Sequence, residues 1–327
     1  MLAYVNFALK GSIPLKKPLL LILAALLLLP GCAGGGPPAQ GAVPVEGSPP
    51  VEGGLVVTAT LFPQFDFARA VAGELADVRL LLPPGVESHS YEPSPQDIIA
   101  INGSQVFLYT GPYMEPWAAD IAQSLASGVA VVDVSAGLVL DEVAEAHGHG
   151  GRHYDPHIWT DPAMAMAMVD NIAAAFAKAD PANAAAYASN ASAYKAELQA
   201  LDDGFQAAVA AGSRKTICFG GRFALHYFAK RYGLTCIAAY DSCSEETEPS
   251  ARAVARIMDA IRQEGIPVIY YEELVEPKVA LSIAKETGAK ALLLHSCHNV
   301  SAKELQDGVT YLSLMRQNLA NLKEGLA

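Results

Sequence analysis

Along the first part of the chain, short apolar runs alternate with stretches whose apolar positions recur every three or four residues. Strand-like runs fall at 55–60, 78–82, 105–109 and 129–134. Helical patterns at 62–75 and 114–125, and a short one from Ser94, lie between them. This alternation predicts a parallel sheet covered on both faces. Asp161-Pro162 opens another helix. Asp180-Pro181 then supplies an N-cap and a first-turn proline for a long one. Up to Ala211 no proline or strand pattern intervenes, and Gly204 is the one weak point. Tyr187, Ala191, Tyr194, Leu198, Leu201, Phe205 and Val209 recur at three-, four- and seven-residue steps, which makes one continuous apolar stripe. A helix of that length is a rod of roughly 45 Å, enough to connect two lobes. The alternation then resumes, with strands expected at 216–219, 234–238, 268–271 and 291–294 and a last helix at 301–322. The expected fold is α/β. Two lobes, residues 55–180 and 212–327, each a parallel sheet flanked by helices, are joined by one long backbone helix at 181–211.

Part of the apolar content belongs to no fold. Lys10, Lys16 and Lys17 precede an unbroken apolar run from Leu19 to Leu29 that ends in Leu-Pro-Gly-Cys at Cys32. A basic region, a short apolar region and a small residue before the cut make an export signal. The run is short for a membrane span. The ending resembles a bacterial lipobox, so residues 1–31 are expected to be a lipoprotein signal peptide with lipid on Cys32. A plain secretory signal and an uncleaved anchor are the alternatives. Residues 32–54 read as a Gly/Pro-rich tether with nothing to bury. The folded body is therefore expected outside the cytoplasmic membrane, lipid-anchored to it. A net charge of −12 argues against a nucleic-acid partner and favours cations. Beyond Cys32 the cysteines are Cys218, Cys236, Cys243 and Cys297, which allow three pairings in an oxidising compartment. Cys218 and Cys236 sit inside strands, whereas Cys243 and Cys297 lie just past strand ends, so a Cys243–Cys297 disulfide is expected.

Candidate chemistry centres on "HGHGGRHYDPHIWTDP", residues 147–162, which holds four of the eight histidines. His147, His149 and His153 sit among glycines and read as a solvated tether. His157 instead lies between two Asp-Pro steps that pin the backbone, with Ile158 and Trp159 as core anchors. A fixed imidazole beside a histidine-rich loop suits a metal ion. In open parallel sheets ligands bind beyond the carboxyl ends of the strands. His89, His157, Arg222, the segment 240–250 and His295 all follow strand ends, so they can converge on one cleft between the lobes.

These segments resemble the zinc- and manganese-binding substrate-binding lipoproteins of bacterial ABC importers, the cluster A-I metal-binding family. The resemblance runs from the lipobox through residues 55–326. "PPGVESHSYEPSPQDI" matches the family's first ligand loop and implies a ligand at His89. "DPHIWTDP" implies one at His157, and "KETGAKALLLHS" implies one at His295. "FALHYFAKRYGL" matches the region after the third ligand, but where the family carries His or Glu this chain has Arg222. A guanidinium has only donors and cannot ligate a cation. Arg222 is read as a partner for Glu245, Glu246 or Glu248.

Two residues compete to fill the missing position. His226 lies one helical turn beyond Arg222 and points away from a cleft at the helix start. Glu245 opens onto the same sheet edge as His295, and its carboxylate offsets the ion's charge. Glu245 is therefore chosen over His226, with water as the remaining option. The expected metal set is His89, His157, His295 and Glu245. Its imidazoles favour zinc over manganese as the transported ligand. The function expected is extracytoplasmic capture of a divalent metal and its delivery to an importer permease by a monomer with no catalytic residues. A surface zinc hydrolase is the alternative from another class, but no HExxH-type motif is present. A metal-binding adhesin of the same fold is the third possibility.

Overall fold

Parallel pairing organises both halves of the chain. The computed structural model describes residues 54–143, 153–240 and 249–327, all within one compact unit. The expected signal peptide, Cys32, almost all of the tether, His147, His149, Cys243, Glu245, Glu246 and Glu248 lie outside the described residues.

β1 (Leu55–Ala59) pairs with β2 (Ala76–Leu80) on one side and β3 (Val106–Tyr109) on the other, and β4 (Ala130–Asp133) completes a parallel sheet of order β2-β1-β3-β4. Burial follows: Val57, Ala59, Val106 and Leu108 are completely enclosed. β2 begins two residues before the apolar run, because the register Leu55↔Ala76 is set by β1. The Leu81 and Leu82 amides still bond to the Ala59 and Thr60 carbonyls, carrying the edge of the sheet toward the His89 loop. That loop ends where Ser94 caps α2 (Pro95–Asn102) in a reciprocal capping box with Asp97. α1 (Phe62–Ala72) and α3 (Pro116–Ala122) are the lobe's other early helices. A small antiparallel ribbon, β5 (Glu142–Val143) with β6 (His153–Tyr154), leads into α4 (Pro162–Ala179), which Asp161 caps through the Ala163 amide.

The long helix is present as α5 (Ala184–Ala211), entered through a 3-10 turn at Pro181–Asn183. Its 28 residues span about 42 Å. The apolar stripe packs on α1 and α4 of one lobe and on α6 (His226–Tyr232) and α10 (Tyr311–Leu326) of the other. Gly204 has a packing reason: a β-carbon there would come within 2.9 Å of Leu319 on α10. Asp202, fully buried on the same face, receives Arg231 from α6 at 2.7 and 2.5 Å and the Tyr232 hydroxyl at 2.8 Å. Two parallel bonds to one carboxylate fix orientation as well as charge.

The second lobe repeats the plan with β7 (Thr216–Phe219), β8 (Thr235–Ala238), β9 (Val268–Tyr271) and β10 (Lys290–Leu293), all parallel in the order β10-β9-β7-β8. α7 (Ala251–Glu264) and α8 (Lys278–Thr287) cover one face. The single last helix expected at 301–322 is two, α9 (Ala302–Gln306) and α10. Gly308 turns the chain at φ 74° and Thr310 starts α10 with its own capping box. No helix among the described residues is long and apolar enough to cross a membrane.

The expected Cys243–Cys297 bridge has one partner, Cys243, outside the described residues, and Cys297 itself is a free thiol. It is completely buried, at a left-handed φ of 63°, with Sγ facing the His295 carbonyl at 3.9 Å. Burial pushes this thiol well above its ordinary pKa. Cys218 and Cys236 are free as well.

Candidate metal centre

Three imidazoles meet beyond the carboxyl ends of the two sheets: His89, His157 and His298, each offering a ring nitrogen within 4.8 Å of the others. Their ring centroids lie 5.3 Å apart for His89–His157, 5.2 Å for His89–His298 and 4.6 Å for His157–His298. His89 comes from the loop after β2, His157 from the turn after β6, and His298 from the loop after β10, so both lobes contribute.

His157, which is buried, and His298, which is half-buried, are each aimed by a partner at the far side of the ring. Asp155 Oδ1 accepts from the His157 amide at 2.9 Å and contacts Nδ1 at 2.6 Å. A carboxylate only accepts, so Nδ1 carries the proton and Nε2 keeps its lone pair, 3.3 Å from His89 Nε2. Against burial, which pushes its pKa up, the His157 bonds and charge hold Asp155 below the ordinary value. Ser296 Oγ lies 2.5 Å from both Glu273 Oε1 and His298 Nδ1. The hydroxyl has one proton and gives it to the carboxylate, so it accepts from Nδ1–H of His298. His298 Nε2 is left buried without a hydrogen-bond partner. Burial, then the neighbouring His157 and His89, hold His298 well below its ordinary pKa, the neutral state a metal requires. The Trp159 indole lies edge-on against His298 at 5.0 Å and donates to the Ser296 carbonyl at 2.8 Å.

The sequence-based expectation differs from this arrangement at one imidazole. His295 is not in the cluster. It is buried two residues past the end of β10, its amide held by Asn318 Oδ1 at 2.7 Å and its carbonyl by Asn318 Nδ2 at 2.8 Å. Its Nδ1 lone pair accepts the Cys297 amide at 2.9 Å, which leaves Nε2 as the protonated nitrogen. His298 comes three residues later, after the left-handed turn at Cys297, and sequence reasoning missed it. The signal was present in "HSCH": the second histidine is the one far enough past the strand to reach a cleft. Asp155, Ser296 and Glu273, which aim the rings, were also missed.

Arg222 is linked to Glu87 at 3.2 Å and lies 3.8 Å from Glu272. His226 pairs with Asp141 at 2.9 Å at the start of α6.

A two-lobed α/β frame on a long helix, with imidazoles from both lobes meeting in the cleft, defines a metal-binding substrate-binding protein of ABC importers. The chain belongs to the family described as zinc-uptake complex component A, periplasmic, whose model matches residues 57–325. It is 34% identical to the high-affinity zinc uptake system protein ZnuA of Bacillus subtilis, over 94% of this chain and 97% of that protein. Among solved structures it is similar to the laminin-binding protein Lmb of Streptococcus agalactiae, described as bifunctional with adhesin and metal-transporting activity. There the TM-score is 0.73 at 33% identity, covering 84% of this chain and all of that one. The Zn(II)-bound ZnuA-like domain of Streptococcus pneumoniae AdcA gives a TM-score of 0.71 at 28% identity, covering 84% and 99%.

Proposed function

We propose that this protein captures zinc outside the cytoplasmic membrane and delivers it to the permease of an ABC importer, acting as a monomeric carrier rather than an enzyme. The observation that carries this reading is the convergence of three imidazoles, two of them with Nδ1 bonded to a side chain that leaves Nε2 for the ion. His89, His157 and His298 serve as the protein ligands, and Glu245 or water takes the fourth position of a tetrahedral zinc site. Imidazole suits zinc better than manganese. The chain's similarity to zinc-uptake and Zn(II)-bound proteins supports the same ion. Against hydrolysis, Glu87, the acid nearest His89 in sequence, is engaged by the His89 amide and Arg222 and is not free to act as a base. Residues 1–31 act as the signal peptide, lipid on Cys32 holds the protein at the membrane, and residues up to 54 give it reach.

A soluble form from Gly54 onward, purified without chelator, should hold close to one tightly bound zinc and show no hydrolytic turnover. His298→Ala and His157→Ala should each lose the ion. Retention of stoichiometric zinc by both variants overturns the site. The similarity to Lmb favours a second role in adhesion, checked by laminin binding with and without zinc.

A further inference from the structure

Arg222 occupies a place where an added positive charge opposes a cation, yet its surroundings are built to hold it. Its Nη2 donates to Glu87 Oε2 at 3.2 Å, across from the C-terminal lobe to the His89 loop. The other oxygen of Glu87, Oε1, accepts from the His89 amide at 3.1 Å. Behind Arg222, Glu272 at the end of β9 accepts the Arg222 amide at 3.2 Å. The Glu272 carboxylate lies in the space that a side chain on Gly221 would fill. The chain of contacts thus runs from β9 through Arg222 and Glu87 to the backbone of His89.

The rest of the His89 loop is tied to the C-terminal lobe by the loop that carries His298. Asn299 Nδ2 donates to the Pro83 and Val86 carbonyls at 2.8 and 3.0 Å, and the Gly85 amide donates to the Val300 carbonyl at 2.9 Å. These bonds fix residues 83–86. Past them the loop has no strand or helix until α2, and His89 itself is exposed. The Arg222–Glu87 pair is the described contact that reaches from the other lobe to the backbone at His89.

We propose that Arg222 is a positioning residue: an inter-lobe latch that holds His89 over the cleft through Glu87, so that breaking the pair frees His89 and lets the metal go. The latch rests on the reading of the three histidines as the zinc site. It accounts for a cation beside a cation-binding centre, since the residue acts on the ligand loop and not on the ion.

Zinc release into a fluorescent chelator, followed by stopped flow, tests it on the zinc-loaded soluble protein. A half-exposed pair of this kind predicts release about three- to fivefold faster in Arg222→Met, with Glu87→Gln giving a similar change and the double variant little more. Arg222→Lys should restore part of the wild-type rate. Salt should speed release from the wild type and have much less effect on Arg222→Met. If Arg222 acted on the ion only through its charge, Arg222→Met would release zinc more slowly. A rate equal to or slower than wild type in Arg222→Met, or additive single variants, overturns the latch. Glu87→Gln, an exposed and nearly isosteric change, keeps the test valid should an Arg222 variant fold poorly. Failure of the wild type to bind zinc removes the underlying site instead, a distinct result.

Discussion

Replacing Asp155 by alanine tests whether the far side of an imidazole governs its hold on the ion. Asp155 is 8% exposed, and one of its oxygens receives both the amide and the Nδ1–H of His157. Its backbone is held independently: its amide donates to the Asp141 carbonyl at 3.0 Å and its carbonyl accepts the Tyr227 hydroxyl at 2.8 Å. Alanine therefore removes the ring's orientation and tautomer preference while leaving the turn in place. The loss of such a partner typically costs 10- to 100-fold in metal affinity, or about 1.4–2.8 kcal/mol. Asp155→Asn keeps an accepting oxygen but not its charge and should fall near the lower end. Competition against a chelator of known affinity, with circular dichroism to confirm folding, reads both. Zinc affinity within twofold of wild type in a folded Asp155→Ala protein refutes the argument. Ser296→Ala provides the parallel case, because it removes the acceptor for His298 Nδ1–H while sparing both rings.

Two further outcomes follow from the same structure. Removing His147, His149 and His153 together should leave the tight zinc intact and lower only weaker binding, because His89, His157 and His298 already form the cluster and His153 is instead paired with Val143 in the β5–β6 ribbon. Loss of tight zinc in that variant, measured by metal content after dialysis, would show that the stretch supplies a primary ligand. Burial raises the Glu115 carboxyl from 4.5 to about 7, although Thr60 and the Thr110 and Gly111 amides donate to it. The folded protein then binds more protons than the unfolded chain between about pH 4.5 and 7. Stability is therefore lost as pH rises through that window, by about 3 kcal/mol from this group, and is level above it. Asp66, pushed by burial up to about 6, adds a slope of the same sign lower down. His298, held by burial below its ordinary pKa of 6.5, contributes a slope of the opposite sign in the same range, so the readout is the difference between wild type and Glu115→Gln. Urea unfolding of both proteins from pH 5 to 8 should show that difference falling as pH rises to about 7, and a difference that stays constant from pH 5 to 7 would refute the argument.

The frame was legible because its signals are local. Strand-length apolar runs, Asp-Pro helix starts and the stripe from Tyr187 to Val209 each lie within one element, and the structure gives those elements. The split of the last helix was legible too, since "DGVT" holds a turn glycine and a capping threonine, but the apolar spacing across 305–322 masked it. The choice between His295 and His298 was not legible in the same way. What buries His295 is Asn318, on α10 and 23 residues away, and the Cys297 amide after a left-handed turn at a residue type that gives no sign of one. The aiming groups are equally nonlocal: Glu273 meets Ser296 only because β9 and β10 end side by side. Asp155 was adjacent to the ligand in sequence, yet it was read as half of an Asp-Pro step and not as a hydrogen-bond acceptor.

The same contacts separate the three histidines by how firmly they are held. Trp159, two residues from His157, donates to the Ser296 carbonyl in the other lobe, and Tyr311 bonds back to the Trp159 carbonyl at 2.5 Å. The Tyr311 amide and the Tyr194 hydroxyl on α5 share Asp66, at 2.9 and 3.2 Å. His157 and His298 are therefore set in a core that runs unbroken through both lobes, with Phe67 packed edge-on against Tyr311 at 4.9 Å. Opening the lobes to release an ion would break this core, whereas moving His89 breaks only loop contacts. Closely packed interiors do not deform continuously, so the less costly motion is the local one. An ion held by two fixed imidazoles and one on a latched loop can be gripped tightly and still leave without the body of the protein rearranging.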